Sequence, residues 1–182
     1  KLKLFDILLW HFSGYVFTDM LIARNVLYSA KNIGLKVFPD YNDSWHFDDK
    51  ISETYLLQSI NAPIPNSFLF YSMDSLKTYL KDNPEFPIIT KLRNGSGSHN
   101  VKLIKTKNEL LNHAKVMFNN GISSSPSLFY KAKSNIKTSK SIDTFIKRAK
   151  RIPEFLMTLA QSKHFPNEKG YVYLQKFIPN DG

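Results

Sequence analysis

The sequence predicts an α/β protein, with a short βαβ segment followed by a small α+β lobe. Three observations lead there. Apolar runs of strand length alternate with stretches of helical period along the chain. Residues 1–45 read as strand, helix, strand, the order of a parallel pair with a crossover helix. Residues 46–118 centre on two short apolar runs on either side of a glycine–serine loop, which makes an antiparallel pair.

Leu4 to Trp10 reads as a buried strand. Thr18 is placed to cap a helix over Asp19–Asn32, where Ile22, Val26, Ala30 and Ile33 form one apolar stripe and Gly34 ends it. Leu35–Phe38 is the second strand, and Pro39–Ser44 is a turn leaving the sheet. A helix over Asp48–Ile60 presents Ile51, Tyr55, Leu56 and Ile60 on one face, with Lys50 in its first turn, where a cation opposes the helix dipole. Asn61-Ala62-Pro63-Ile64-Pro65 breaks it. Ser67–Tyr71 follows as a strand and Met73–Lys81 as a short helix, stopped by Asn83-Pro84. The paired runs are Phe86–Ile89, leading to Lys91, and Val101–Ile104; Thr106 and Glu109 then form a capping box for a helix to Phe118.

Beyond residue 118 the pattern changes. Gly121 and Ser123-Ser124-Ser125-Pro126 mark a loop, Ser127–Tyr130 a short strand, and residues 131–151 a basic stretch that turns helical from Ser141. Pro153 interrupts that helix or starts another through Ala160. Tyr171–Ile178 is a last strand, and Pro179-Asn180-Asp181-Gly182 a turn. The expected organisation is therefore 1–45, 46–118, 119–168 and 169–182.

Composition closes several routes. No cysteine is present, which excludes disulfides, a thiolate nucleophile and a thiolate zinc site, and fits a reducing, cytoplasmic setting. No apolar run reaches the ~18 residues of a membrane span. Lys1-Leu2-Lys3 leads into a strand rather than a signal peptide, and the absent initial methionine points to a fragment. The five histidines (11, 46, 99, 113, 164) never fall at metal-ligand spacing. The net charge of +10 is concentrated, because residues 131–151 carry eight Lys or Arg against Asp143 alone. The aromatic residues mostly occupy apolar-periodic positions, so packing explains them better than base stacking.

The stretch Phe86–Ile104, FPIITKLRNGSGSHNVKLI, carries the chemistry. A lysine leaving one strand and a Gly95-Ser96-Gly97-Ser98 loop before the next suit a polyphosphate. Glycines let backbone N–H groups approach, serines add donors, and the ammonium is a point charge. Alone, the stretch also reads as a flexible hairpin with a surface lysine, and context has to decide.

Three features in order supply that context: Asp49-Lys50 opening a helix that ends in NAPIP, the strand lysine before the Gly-Ser loop, and the late Gln175-Lys176-Phe177-Ile178-Pro179. Together they resemble the ATP-grasp superfamily, in particular its ribosomal-protein glutamate-ligase and D-alanine–D-alanine ligase branches, over residues 40–118 and 170–182. The resemblance implies an ATP-grasp fragment: a βαβ remnant of the preceding domain, a small nucleotide-binding lobe, a basic insertion and a hinge strand. Lys50 and Lys91 match the phosphate-binding lysines, Gly95, Ser96, Gly97 and Ser98 the loop over the phosphates, and Gln175, Lys176, Phe177 and Ile178 the hinge that reads adenine. Gln175 departs from the glutamate that relatives often carry there, and Ser98 and Asn100 replace frequent glycines. His99 at the loop tip reads as an exposed loop residue.

The implied activity is ATP-dependent carboxylate–amine ligation: ATP phosphorylates a carboxylate and an amine displaces the phosphate, giving an amide and ADP. Partners would be the nucleotide and a small-molecule or peptide carboxylate and amine. The magnesium ligands and catalytic groups are expected beyond Gly182, so these residues alone are expected to be inactive while the full-length protein is an enzyme. Two alternatives stand. Residues 131–151 with the Lys91 loop can form a basic surface for an acidic or phosphorylated polyanion, or the same lobe can serve a phosphotransferase.

Overall fold

The computed structural model describes residues 4–12, 16–94, 100–124 and 166–179. The expected strand at 127–130, the basic stretch 131–151, the helices around Ser141 and Pro153, and the end of the final turn lie outside the described residues. The chain divides into two compact units, one within residues 4–47 and the other formed by 48–124 with 166–179. No described helix is long and apolar enough to cross a membrane.

The first unit is the expected βαβ. Strand β1 (Ile7–Leu9) pairs in parallel with β2 (Lys36–Phe38), in register Leu8 with Val37, and α1 (Phe17–Asn32) connects them. Two details differ from the sequence reading. Helix α1 begins at Phe17 after Val16, so Thr18 lies inside the first turn and does not cap it. Its buried stripe is Ala23, Leu27 and Ala30, while Ile22 and Ile33 are exposed. The larger residues gave the stronger hydropathy signal, but the close approach to the sheet selects the alanines. β1 is also not a buried strand, since Ile7 and Leu9 are both exposed. The turn after β2 contains a short helix, α2 (Tyr41–Ser44), capped by Asp40, whose side chain accepts from the Asn42 N–H at 2.9 Å.

The second unit is a four-stranded antiparallel sheet in the order β3-β8-β4-β5: β3 (Ser67–Phe70), β4 (Ile88–Lys91), β5 (Val101–Ile104) and β8 (Val172–Lys176). The late strand, read from sequence as a separate hinge piece, therefore sits inside the sheet and hydrogen-bonds on both edges. Local periodicity cannot reveal such long-range pairing. Helices α3 (Lys50–Ser59), α4 (Met73–Tyr79) and α5 (Lys107–Phe118) follow the expected order. Asp49, Ser72 and Thr106 supply their side-chain caps. Glu109 reaches back to the Lys105 N–H at 2.7 Å, one residue before the cap. A two-residue ladder, β6 (Ile122–Ser123) with β7 (Asn167–Glu168), closes the unit.

Alternation along the strands gives the sheet two unlike faces. Ile88, Thr90, Ile104, Val172 and Leu174 share one face, and all of them but Thr90 join a core cluster with Leu76, Leu80, Leu110, Ala114 and Met117. Ser67, Leu69, Ile89, Lys91, Tyr173 and Gln175 share the other. On α3 the buried position is Thr54 rather than the expected Tyr55 or Ile60, which are exposed. A hydroxyl is what the polar face asks for.

Candidate functional site

The polar face organises around Lys91, the last residue of β4. In register Lys91 faces Tyr173 and Ile89 faces Gln175, so Lys91 and Gln175 are diagonal neighbours on one face. The Lys91 ammonium donates to Gln175 Oε1 at 2.6 Å. The Gln175 amide donates onward to Ser67 Oγ at 2.9 Å, and Ser67 Oγ donates to the Pro65 carbonyl at 2.8 Å. The Tyr173 and Thr54 hydroxyls are hydrogen-bonded at 2.9 Å, tying α3 to β8. Gln175 is thereby fixed in amide orientation, and its oxygen is aimed at the lysine.

Lys50, at the first position of α3, comes to the same end of the sheet because its N–H donates to the Arg93 carbonyl at 2.9 Å, just past β4. Burial holds the Lys91 ammonium below the usual lysine range. The nearby Lys50 charge pushes it further down, and Glu53 acts the other way. Two cations brought within electrostatic reach, one of them half-buried, form a place where an anion relieves repulsion. The Asp49 carboxylate caps α3 through the Ile51 and Ser52 N–H groups and faces Arg93 at 3.9 Å, a solvent-exposed pair of small energetic weight.

Of the residues singled out from sequence, the structure brings together Lys50, Lys91 and Gln175. Lys176 alternates to the opposite face of β8, is exposed, and donates its N–H to the Asn66 carbonyl at 2.8 Å. Phe177 and Ile178 follow the end of the ladder, with Ile178 exposed. Gly95, Ser96, Gly97 and Ser98, with His99 and the basic stretch 131–151 offered to an acidic partner, lie outside the described residues. Among the described residues no group of three His, Asp or Glu side chains could hold a metal.

Two buried polar groups escaped the sequence reading. His113 on α5 packs under the sheet with Nε2 at 3.0 Å from Thr90 Oγ. Burial, and then the Lys102 charge, lower it to about 4, so the ring is neutral. It lines a cavity of ≈ 460 Å³ with Thr90, Lys102 and Glu109, on the face away from Lys91. Glu168 on β7 is also buried, and its carboxylate accepts from the Arg93 N–H at 3.1 Å and the Asn94 N–H at 3.0 Å. The Tyr171 hydroxyl donates to the same carboxylate. No local sequence signal marks Glu168.

No protein-family model matches the sequence, and no curated protein does. Among solved structures the chain is similar to N5-carboxyaminoimidazole ribonucleotide synthetase from Thermotoga maritima, at TM-score 0.51 and 17% identity, over 99% of this chain and 31% of that one. Two further likenesses fall below TM-score 0.5. One is a RimK domain ATP-grasp protein from Sphaerobacter thermophilus (TM-score 0.44, 12% identity, 87% of this chain and 42% of that one). The other is the ATP-grasp ligase PsnB, solved with minimal precursor, Mg and ADP (TM-score 0.38, 12% identity, 90% and 37%). The chain thus spans about a third of the length of the synthetase it matches. Its fold matches the corresponding part of that synthetase, and it is the mixed α/β fold expected from the sequence.

Proposed function

We propose that residues 48–124 and 166–179 form the phosphate-gripping part of an ATP-dependent carboxylate–amine ligase that proceeds through an acyl phosphate and releases ADP. The observation that carries this reading is the convergence of Lys50 and Lys91 on the polar end of the sheet, with Lys91 oriented by Gln175. A triphosphate oxygen between the two ammonium groups would neutralise their mutual repulsion and favour the charged form of Lys91. Gly95 to Ser98 would add backbone donors, and Gln175 to Ile178 would border the adenine. Lys176 would serve there through its backbone, since its side chain alternates away from Lys91.

In such chemistry the protein contributes charge neutralisation and alignment, not a nucleophile. Magnesium would be held by ligands outside the described residues, and the chemistry it would supply is neutralisation of phosphate charge. The described residues supply cations and amides but no acidic cluster, so they fit the nucleotide and not the metal. The carboxylate and amine substrates would meet the γ-phosphate beyond the hinge.

Calorimetric titration of Mg-ATP and Mg-GTP, into this chain and into a longer chain carrying the expected second lobe, tests the reading. ATP should bind in preference to GTP. Lys91→Ala should weaken it about 100-fold, the scale of a lost charge-assisted contact in a partly desolvated site. Equal affinity of Lys91→Ala and the parent protein would sink the proposal. Formation of a phosphorylated alcohol rather than an amide by the full-length protein would move it to a phosphotransferase.

A further inference from the structure

The buried carboxylate of Glu168 has no part in the phosphate grip, yet it sits at the point where the grip is built. A buried carboxylate is costly unless its oxygens are satisfied. Here two consecutive backbone N–H groups, of Arg93 and Asn94, and the Tyr171 hydroxyl satisfy it. Tyr171 closes the triangle, because its oxygen accepts from the Arg93 N–H at 2.6 Å. Burial, reinforced by the Glu168 charge, drives the phenol well above its usual range, so it stays a donor.

The support for this carboxylate is stiff. β7 pairs with β6, and the Gly170 N–H donates to the Met117 carbonyl at the end of α5, at 2.8 Å. Gly121, at φ +73°, lies so close that a Cβ there would stand 2.4 Å from the Glu168 carbonyl oxygen. On the other side, the Arg93 residue that Glu168 holds by its N–H receives the Lys50 N–H on its carbonyl at 2.9 Å. One peptide segment is therefore held from α5 and in turn holds the start of α3.

We infer that Glu168, with Tyr171, is a positioning residue: it fixes the Arg93–Asn94 backbone and, through the Arg93 carbonyl, the first turn of α3, so that Lys50 stands beside Lys91. Its consequence for nucleotide rests on the proposed function, but the mechanical claim does not.

Amide hydrogen exchange on the full 182-residue chain separates the two. Glu168→Gln keeps the shape and removes the charge. It should speed exchange at Arg93, Asn94 and also Lys50 about tenfold, the scale of a lost hydrogen bond to a charged group. Amides of β3 and α4 should keep parental rates. Tyr171→Phe, which leaves the carboxylate in place, should shift the same three amides by a smaller factor, and it decides the matter if Glu168→Gln fails to fold. Faster exchange at Arg93 and Asn94 with Lys50 unchanged would overturn the inference, as would no change at all. With Mg-ATP, the Glu168→Gln chain should bind about tenfold more weakly. Transmission to Lys50 in a parent protein that does not bind ATP would uphold the positioning role and reject the nucleotide reading instead.

Discussion

The two units treat their sheets in opposite ways. Residues 48–124 and 166–179 bury a cluster of twelve residues around a four-stranded sheet and gather Lys91, Gln175 and Ser67 on one of its faces. Residues 4–47 have a two-stranded parallel sheet whose Ile7, Leu9 and Phe38 are exposed, and, among the described residues, a small buried cluster of Phe12, Ala23 and Leu27. A two-stranded sheet is marginal by itself. The lesson is about precision. Lys91 and Gln175 can be held at 2.6 Å because the strands that carry them are locked from behind by Leu174, Ile88 and Met117. The candidate chemistry falls on the unit with the rigid backing.

The sharpest way to break this contrast is to empty each core in turn. Leu174→Ala, in the middle of the sheet and fully buried, should cost about 3–4 kcal/mol and speed exchange throughout the second unit. Leu27→Ala removes an equally buried side chain from the small cluster, and its effect should stay within residues 4–47. If either change loosens the amides of both units alike, they form one cooperative body and the contrast fails.

A pH series sharpens it next. In the folded state His113 titrates only at about 4, against about 6.5 when unfolded. Between those values the unfolded chain binds the extra proton, so stability rises with pH. Urea midpoints of the second unit should be level above about pH 6.5 and fall as pH drops toward 4, by roughly 2–3 kcal/mol from this group. In His113→Gln that slope should vanish. The smallest expected effect is on the polar face, where Thr54→Val should cost about 1 kcal/mol or less. Tyr173 keeps a further partner in Ser67 Oγ at 3.3 Å. A loss several times larger in the urea midpoint would mean that α3 is held mainly by this one bond.

Much of this was legible in the chain, for particular reasons. The parallel pair and most helix starts could be read because their signals are local: Thr106 three residues before Glu109, and prolines after α3. Lys50 and Lys91 were singled out by the order and spacing of the motifs that carry the resemblance, and their hold on phosphate belongs to the proposal. The buried stripe of α1 was read only at Ala30; Ala23 was missed because an alanine contributes little hydropathy, although its small size is what lets the helix approach. Thr54 was missed for the mirror-image reason, a hydroxyl buried against a tyrosine 119 positions away. Glu168 acts on amides 74 and 75 positions earlier, and no window along a sequence sees that far.

The place of β8 has a consequence for how the protein emerges from the ribosome. Its two neighbours, β3 and β4, are made long before it, and Lys91 precedes Gln175 by 84 residues. At roughly 5–20 residues per second of synthesis, β4 waits about 4–17 s for the strand that joins them, and β3 about 5–22 s. During that interval Leu69 and Ile88 belong to open edges, which are templates for pairing with another nascent chain. The unit that holds the candidate chemistry cannot exist in part. Its sheet becomes a sheet only when the last strand arrives.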